Sequence, residues 1–358
     1  MKNILGKAIL LASALLFSIA GTSCSNEDNA TPEKEKTYDM SGFAKGADVS
    51  WLTEMEKDGV KFYTQAGKAQ ECMSLLRDLG TNAIRLRVWV NPAGGWCGKN
   101  DVIAKAWRAQ QLGFRLMIDF HYSDTWADPG KQYVPKAWES YDLDAMAKAV
   151  AEHTSDVLNT LKDNGVDVTW VQVGNEVTNG MLWEKGRVKG DIASGFAKLF
   201  KAGADKVKSI YPKASVILHI DNAWDMDTLK WFYSLMADTG VKYDMIGLSL
   251  YPSYWNDETN AFEPWEGKVN QAIANIPQLI KTYNRDVMLV EFGMPAAEPQ
   301  KGKEALETLW NGLKDVKRFK GIFYWEPESE PARNGYALGA FNDGKPTIAL
   351  SPFSKPVD

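Results

Sequence analysis

The chain has 358 residues, 45% of them hydrophobic and 24% charged, so it can bury a large core and is not natively disordered. Its 41 lysines and arginines face 46 aspartates and glutamates, and the net charge of -5 argues against nucleic acid as a partner. The 14 tryptophans are many, and flat aromatic faces suit the apolar faces of sugar rings as well as protein cores.

Residues 1–23 are predicted to be an export signal of the lipoprotein type. Lys2 and Lys7 stand before an apolar run, residues 8–20, that is too short to span a bilayer. Small residues then lead to Cys24, which would become the site of lipid attachment. Free secretion after cleavage near Ala20 is the alternative. We therefore expect an exported outer-membrane lipoprotein that faces the cell surface and touches the membrane through its lipid anchor alone.

Residues 24–39 are predicted to be a flexible tether, and residues 40–358 one folded domain. The tether sequence, SNEDNATPEKEKTYD after the cysteine, has no apolar residue large enough to anchor a fold until its end. The domain contains Cys72 and Cys97. The sequence leaves open whether they form one disulfide or stay free thiols, because it does not give their separation.

Beyond the tether, short β-rich apolar runs alternate with amphipathic helical patterns. Eight strands are predicted, at residues 43–49, 83–90, 115–120, 169–174, 215–220, 245–250, 287–290 and 322–325. Helices are predicted between them, at residues 69–79, 102–111, 143–164, 190–210, 226–237, 269–282 and 303–314. This α/β alternation predicts a parallel sheet closed into a single (β/α)8 TIM barrel with long loops on its C-terminal face. We expect a monomer.

Polar side chains gather where the predicted strands end. In barrels of this class the active site lies at the C-terminal ends of the strands. The strand-end candidates are Arg85, Arg87, Asp119, His121, Asn175, Glu176, His219, Asp221, Tyr251, Glu291, Trp325 and Glu326. The question is therefore which chemistry this set can perform.

Two strand-end glutamates are what glycosidic cleavage with retention requires. One carboxyl protonates the departing sugar oxygen while the other attacks the anomeric carbon, with the two groups about 5 to 5.5 Å apart. An arginine from strand 2 would hold the attacking carboxylate ionised, and that negative charge would raise the pKa of the acid. Asn175 could bind a sugar 2-hydroxyl, and a tryptophan could form the floor under the ring. Glu326 is an alternative anion to Glu291.

The histidines and tryptophans allow two interpretations each. His121 and Asp119 could be a buried pair that supports the barrel, but we favour a hydrogen bond from His121 near the cleaved sugar. His219 could be structural or could contact substrate. Trp126 and Trp138 flank a polar loop and could line outer sugar subsites. Core burial is the expectation for Trp107, Trp170 and Trp310.

Seven segments of the chain match a known family. They are KGADVSWLTEME (45–56), NAIRLRVWVNP (82–92), DFHYSDTWADPGKQ (119–132), VQVGNEVTNGMLW (171–183), HIDNAWD (219–225), IGLSLYPSYW (246–255) and GIFYWEP (321–327). In this order they resemble the family 53 glycoside hydrolases, the arabinogalactan endo-β-1,4-galactanases. The resemblance implies that Glu176 is the acid/base and Glu291 the nucleophile. It also implies cleavage of internal bonds in β-1,4-galactan or arabinogalactan, the side chains of pectin.

Substrate binding is assigned to eight further residues. They are Arg87, His121, Trp126, Asn175, His219, Asp221, Tyr251 and Trp325. Two alternatives stay open: a surface glycan-binding lipoprotein that uses the barrel only as a scaffold, and a related enzyme that acts on β-glucan or β-mannan.

No cofactor is expected for the chemistry and no metal site is assigned. Three histidines without paired ligand spacing do not indicate zinc. The segment AAEPQKGKEA (296–305) lacks the oxygen ligands that calcium needs. The loop after the last strand offers some, namely Glu328, Glu330, Asn334, Asn342 and Asp343. A structural calcium there is an alternative to a plain solvated loop, which we favour.

Overall fold

The computed structural model describes residues 37–356. The predicted export signal, the lipid attachment site Cys24 and the tether up to residue 36 lie outside the described residues. Tyr38, predicted to be part of the tether, contacts the folded domain: its hydroxyl donates to Asp78 Oδ1 at 2.5 Å, and Arg77 lies 4.2 Å from its ring centroid. Residues from Tyr38 onwards form one compact unit, which thus begins just before the predicted boundary at Met40.

Eight parallel strands close into a barrel. They are β1 (Ala44–Asp48), β2 (Ala83–Val88), β3 (Arg115–Phe120), β4 (Trp170–Val173), β5 (Ser215–Ile220), β6 (Met245–Leu250), β7 (Asp286–Phe292) and β8 (Phe319–Trp325). Strands that follow each other in the chain are neighbours in the barrel, and β8 pairs with β1. The predicted (β/α)8 TIM barrel is confirmed. The prediction starts β8 too late because the polar residue Lys320 interrupts its apolar run.

Helices surround the barrel. They are α1 (Leu52–Lys57), α2 (Cys72–Asp78), α3 (Lys99–Gln111), α4 (Leu143–Asp163), α5 (Ser194–Ile210), α6 (Met226–Thr239), α7 (Glu266–Tyr283), α8 (Pro299–Leu313) and the short α9 (Pro331–Asn334). Acidic side chains cap the N-termini of three helices: Glu71, Asp142 and Asp225 accept hydrogen bonds from backbone amides in the first turn of α2, α4 and α6, respectively. Each helix from α2 to α8 turns a buried apolar stripe inward, which packs it on the barrel.

The barrel interior is apolar at one end and polar at the other. The apolar layers consist of Ala44, Ala83, Met117, Trp170, Ile217, Met245, Met288, Val290 and Phe323. A Cβ on Gly46 would lie only 2.2 Å from the Phe323 ring, so glycine makes room for that ring. Further along the strands, buried residues become polar: Asp48, Arg85, Asp119, Gln172, His219 and Ser249. Because the strands are parallel and staggered in register, these polar side chains meet towards the C-terminal end.

Cysteines and tryptophans answer several questions that the sequence left open. Cys72 and Cys97 are both buried free thiols, so no disulfide joins them. Trp170 and Trp310 are buried as expected, but Trp107 is 50% exposed, so its predicted burial is wrong. Trp138 is buried in the core and is not part of an outer subsite.

Among residues 37–356, no helix has both the length and the apolarity needed to cross a bilayer.

Candidate active site

Arg85 lies at the centre of the polar layer and is fully buried. Its guanidinium donates to three carboxylates: Asp48 Oδ2 at 2.7 Å, Asp119 Oδ2 at 2.9 Å and Glu291 Oε1 at 2.8 Å. One buried cation among three carboxylates favours their ionised forms and leaves a surplus of negative charge. Such a surplus suits a reaction in which positive charge develops on the substrate.

Neutral side chains complete the coordination of Arg85. Its Nε donates to Gln172 Oε1 at 2.9 Å, and Nη2 also donates to Asn175 Oδ1 at 3.0 Å. Gln172 donates in turn to Asp119 Oδ1 at 2.9 Å. The result is a fully buried network that joins β1, β2, β3, β4 and β7, and it fixes the position of Glu291 from behind.

Glu176 and Glu291 line one pocket of about 170 Å³ at the C-terminal ends of β4 and β7. Glu176 has a left-handed backbone, with φ of 44° and ψ of 55°, a conformation that is uncommon for residues other than glycine. Tyr251 donates a hydrogen bond of 2.7 Å to Glu291 Oε2. Both oxygens of the Glu291 carboxylate are thus held, one by Arg85 and one by Tyr251.

The two carboxyls differ in their surroundings. Burial raises the pKa of Glu176 well above its usual value, and the nearby charges of Glu291 and Asp221 raise it further. Burial also raises the pKa of Glu291, but Arg85 and the Tyr251 hydroxyl act in the opposite direction. Glu176 is therefore the carboxyl that holds a proton more strongly, and Glu291 is the one favoured as an anion.

Five of the predicted substrate-binding residues line the pocket with the two glutamates: His121, Trp126, Asn175, Tyr251 and Trp325. His121 Nε2 lies 3.0 Å from Asp119 Oδ2, and its Nδ1 accepts from the Ala127 amide at 3.3 Å. This pattern assigns the imidazole proton to Nε2. His121 therefore both pairs with Asp119 and faces the pocket, so the two interpretations of this histidine are compatible.

Three predicted substrate-binding residues do not line this pocket. Arg87 is fully buried and pairs with Glu326 instead. His219 is fully buried, its Nε2 lies 2.8 Å from Ser249 Oγ, and burial lowers its pKa well below its usual value. Asp221 accepts a hydrogen bond from Thr178 Oγ1.

The sequence left open which strand-2 arginine contacts Glu291. It is Arg85, whose Nη2 donates to Glu291 Oε1 at 2.8 Å. His219 Nδ1 lies 3.3 Å from the Glu176 amide nitrogen, so this histidine contacts the site from behind. Direct substrate contact by a fully buried side chain is excluded in this conformation.

Glu326, the alternative anion, is fully buried and away from the pocket. It accepts hydrogen bonds from Arg87 Nη1 and from the Trp51 amide, the latter at 3.1 Å. Burial raises its pKa to about 7, while Arg87 acts against that shift. Because its carboxylate does not line the pocket, Glu326 is not placed to attack a sugar there.

Three polar residues of the network are absent from the sequence-based list. Asp48, Gln172 and Ser249 occupy inward positions of β1, β4 and β6. A period of two along each strand, counted from the strand-end candidates, would have identified Gln172 four residues before Glu176 and Ser249 two residues before Tyr251. Asp48 is the last residue of β1, a strand without a strand-end candidate, so this count does not reach it.

Within residues 37–356, no group of three or more His, Cys, Asp or Glu side chains is arranged to hold a metal ion. Two of the loop residues considered for calcium contact other partners: Glu330 Oε1 accepts from the Gly344 amide at 2.7 Å, and Asn334 Oδ1 accepts from Ser329 Oγ at 2.8 Å. The calcium alternative therefore gains no support from the described loop.

A larger cavity, about 660 Å³, opens at the other end of the barrel beside α5. Its basic side chains are largely paired, as in the contacts Lys208–Asp244 at 2.6 Å and Arg318–Asp286 at 2.7 Å. It contains no pair of buried carboxyls. The smaller pocket at the C-terminal ends is therefore the candidate active site.

Comparisons with known proteins agree with this geometry. Residues 44–347 match the model of glycosyl hydrolase family 53. An arabinogalactan endo-beta-1,4-galactanase of Thermothelomyces thermophilus is 33% identical over 79% of this chain and 89% of its own length. The galactanase A of Emericella nidulans is 35% identical over 79% and 84%. A structure from a study of two fungal beta-1,4-galactanases has a TM-score of 0.78 at 30% identity and covers 88% of this chain and 100% of that one. The chain belongs to glycosyl hydrolase family 53.

Proposed function

We propose that this protein is a retaining endo-β-1,4-galactanase that acts on galactan or arabinogalactan, the side chains of pectin. The observation that carries the proposal is the pair Glu176 and Glu291 in one pocket, with Glu291 held by Arg85 and Tyr251. The similarity to fungal galactanases supports the substrate class. The same pocket contains the aromatic surface, Trp126 and Trp325, that a sugar ring needs.

The first step forms a covalent glycosyl-enzyme. Glu291 attacks the anomeric carbon, and its new C–O bond replaces the glycosidic C–O bond. Glu176 gives its proton to the departing oxygen, so the leaving sugar departs neutral. The surplus negative charge around Arg85 stabilises the oxocarbenium-like transition state. Asn175 is fixed by Arg85 and by the Ala127 carbonyl, which accepts from its Nδ2 at 2.8 Å, and it can still bind a sugar 2-hydroxyl.

The second step releases the sugar. Glu176, now ionised, takes a proton from water, whose oxygen attacks the anomeric carbon and displaces the Glu291 carboxylate. Two displacements at one carbon give net retention. Both carboxyls return to their starting protonation states, and no cofactor enters the balance.

The surface beside the pocket favours cleavage within a polymer. A groove of about 590 Å³ continues from it and shares Trp126 as a wall, with Trp51, Trp89 and Trp96 further along. An open groove accommodates several consecutive sugars, whereas a closed pocket would accept only a chain end. We therefore propose internal cleavage.

Digestion of linear β-1,4-galactan, beside cellulose and mannan, tests this function. We expect oligosaccharides of mixed length from galactan first, and the β-anomer first by proton NMR. Galactose alone as the earliest product would contradict internal cleavage, and the α-anomer first would contradict retention. Binding of galactan without turnover would indicate the glycan-binding alternative, and preferred hydrolysis of cellulose or mannan would indicate the related enzyme.

We also propose that the enzyme is exported as a lipoprotein, attached through Cys24 and facing the cell surface. The proposal rests on the sequence of residues 1–39, which resembles a lipoprotein signal followed by a polar tether. A flexible chain of about 15 residues reaches on the order of 20 Å. This distance holds the barrel clear of the lipid headgroups while it works on a polymer outside the cell. We propose that the enzyme acts as a monomer. One chain supplies both carboxyls of the pocket, so the site needs no residue from a second copy.

A further inference from the structure

Arg87 is a buried cation with few hydrogen bonds. Its side chain is 1% exposed, and the hydrogen bond that it makes is from Nη1 to Glu326 Oε1. Its Nε and Nη2 have no hydrogen-bond partner among the described residues. Buried donors without partners cost free energy, so another interaction must compensate for them.

Four tryptophans supply that interaction. The guanidinium carbon of Arg87 lies over the rings of Trp126, Trp51, Trp89 and Trp325, at 4.4, 5.0, 5.2 and 5.8 Å from their centroids. The rings also pack edge to face on each other. The ring centroids of Trp51 and Trp325 are 5.2 Å apart, and those of Trp89 and Trp126 are also 5.2 Å apart. We call these four residues the tryptophan wall. A desolvated cation attracts each ring face, so Arg87 holds the wall from within.

Glu326 ties this cation to the backbone. One carboxylate oxygen accepts from Arg87, and the other accepts from the Trp51 amide at 3.1 Å. The Glu326 amide donates to the Asp48 carbonyl at 3.0 Å, which joins the end of β8 to the end of β1. One carboxylate therefore fixes both the central cation and a tryptophan of the wall.

The tryptophan wall faces the substrate side of the barrel. Trp126 and Trp325 line the catalytic pocket, while Trp51, Trp89 and Trp126 line the adjoining groove. Neither Arg87 nor Glu326 lines either of them. The buried pair thus lies behind the surface on which sugar rings would stack.

We propose that Arg87 and Glu326 form a positioning pair that fixes the tryptophan wall, and that they set substrate affinity without contacting the substrate. The proposal rests on the proposed function for its ligand, a neutral β-linked galactan. A stacking surface binds best when its rings are held in place beforehand, because no ordering is then needed on binding. Loss of the pair should therefore weaken binding of the polymer more than it slows the chemical step.

The test compares Glu326→Gln, Arg87→Lys and the double variant Arg87→Met/Glu326→Gln with the parent. The double variant removes both charges, which avoids leaving one buried charge without its partner. Steady-state kinetics on linear galactan give kcat and KM, and near-ultraviolet circular dichroism reports the packing of the tryptophans. We expect KM to rise about tenfold in the double variant with kcat within about threefold of the parent. Arg87→Lys keeps the positive charge, so its KM should rise less than the KM of the double variant.

Arg318→Met is the matched control, because Arg318 forms its ion pair with Asp286 at the opposite end of the barrel. It should leave KM and the near-ultraviolet spectrum unchanged even if it lowers the melting temperature. A fall in kcat at constant KM in the double variant would overturn the proposal, as would a KM and a spectrum equal to those of the parent. A parent that does not cleave galactan would instead refute the proposed function, and the spectra would still show whether the pair orders the wall.

Discussion

Single residues separate the roles of two glutamates that look alike in the sequence. Glu291 accepts hydrogen bonds from a guanidinium and a phenol, whereas the negative charges of Glu291 and Asp221 act on Glu176. These surroundings favour an anion at one position and a proton at the other. The proposed division of labour therefore rests on the neighbours of each glutamate, and it can be tested by removing one carboxyl at a time.

The two glutamate variants should fail on different substrates. Glu176→Ala should lose most activity on galactan but keep it on aryl galactosides, whose good leaving group needs no proton, whereas Glu291→Ala should lose both. Azide should rescue both variants, with a β-linked product from Glu176→Ala and an α-linked product from Glu291→Ala. Product analysis by proton NMR checks this, provided that circular dichroism shows both variants folded. Equal losses on both substrates for Glu176→Ala would refute its role as the acid.

Arg85→Lys should slow the enzyme and move its pH profile. Arg85 reaches Asp48 through Nη1 and both Asp119 and Glu291 through Nη2. The single nitrogen of a lysine cannot occupy both positions, so the loss in kcat should be about 10² to 10³. Because Arg85 lowers the pKa of Glu291, its replacement should raise that pKa, and the acidic limb of the kcat/KM profile should shift to higher pH. Arg108→Lys, in a surface ion pair with Glu56, is the control. An acidic limb that stays in place would argue against Arg85 as the partner of the nucleophile.

At the level of elements, the loop after β8 introduces a buried carboxyl that the chemistry does not use. Glu328 is fully buried, and its carboxyl lies within hydrogen-bonding reach of the Glu326 carboxyl. Burial raises its pKa well above the usual value, and the charge of nearby Glu326 raises it further. Glu328 therefore stays protonated in the folded protein over a range where it ionises in the unfolded chain.

Glu328→Gln should make stability less dependent on pH. A raised native pKa gives stability that is fully present below the unfolded value of 4.5 and is lost as pH rises through the native pKa. The parent's melting temperature should thus fall as the pH rises above 4.5 towards the raised native pKa, and the melting temperature of the variant should fall less. Glu326, whose pKa is raised to about 7, should keep part of the dependence in the variant. Parallel melting curves for the two proteins would contradict the assignment of a protonated Glu328.

At the scale of the whole molecule, one barrel concentrates the chemistry at one end and leaves the other end free of it. Residues at the C-terminal ends of β3, β4, β6, β7 and β8 line the pocket, while apolar layers fill the opposite end. The first described residues lie beside α2, where the Tyr38 hydroxyl donates to Asp78 Oδ1.

Cys24→Ser distinguishes a lipoprotein from a freely secreted enzyme. If Cys24 carries the lipid, cell fractionation should find the parent in the membrane fraction and the variant released, because multiple acyl chains anchor a protein firmly. Cys72→Ser is the control, since Cys72 is a buried free thiol of the barrel. A Cys24→Ser protein that stays with the membrane as strongly as the parent would refute lipidation at this residue.

The sequence by itself determined the element order, and with it the barrel, because β-rich runs that alternate with amphipathic helices have one common closed solution. It also predicted Glu176 and Glu291 as the catalytic pair, since each follows an apolar strand. Glu176 lies in one of the segments that resemble the family, whereas Glu291 lies outside them. The register between β6 and β7 decided which residue of β7 contacts Arg85. In β7 a shift pairs Ser249 with Glu291, so that Val290 joins the apolar interior and Glu291, the next residue, reaches Arg85.

Only the tertiary structure separated Arg85 from Arg87. Arg85 and Arg87 are two residues apart in β2, and side chains two residues apart along a strand lie on the same face. Barrel closure then puts one guanidinium among three carboxylates at the axis and the other among four tryptophans near the end of the strand. The same reason explains the buried His219 and the free thiols of Cys72 and Cys97. Distances between side chains far apart in sequence follow from closure of the sheet, which local patterns do not specify.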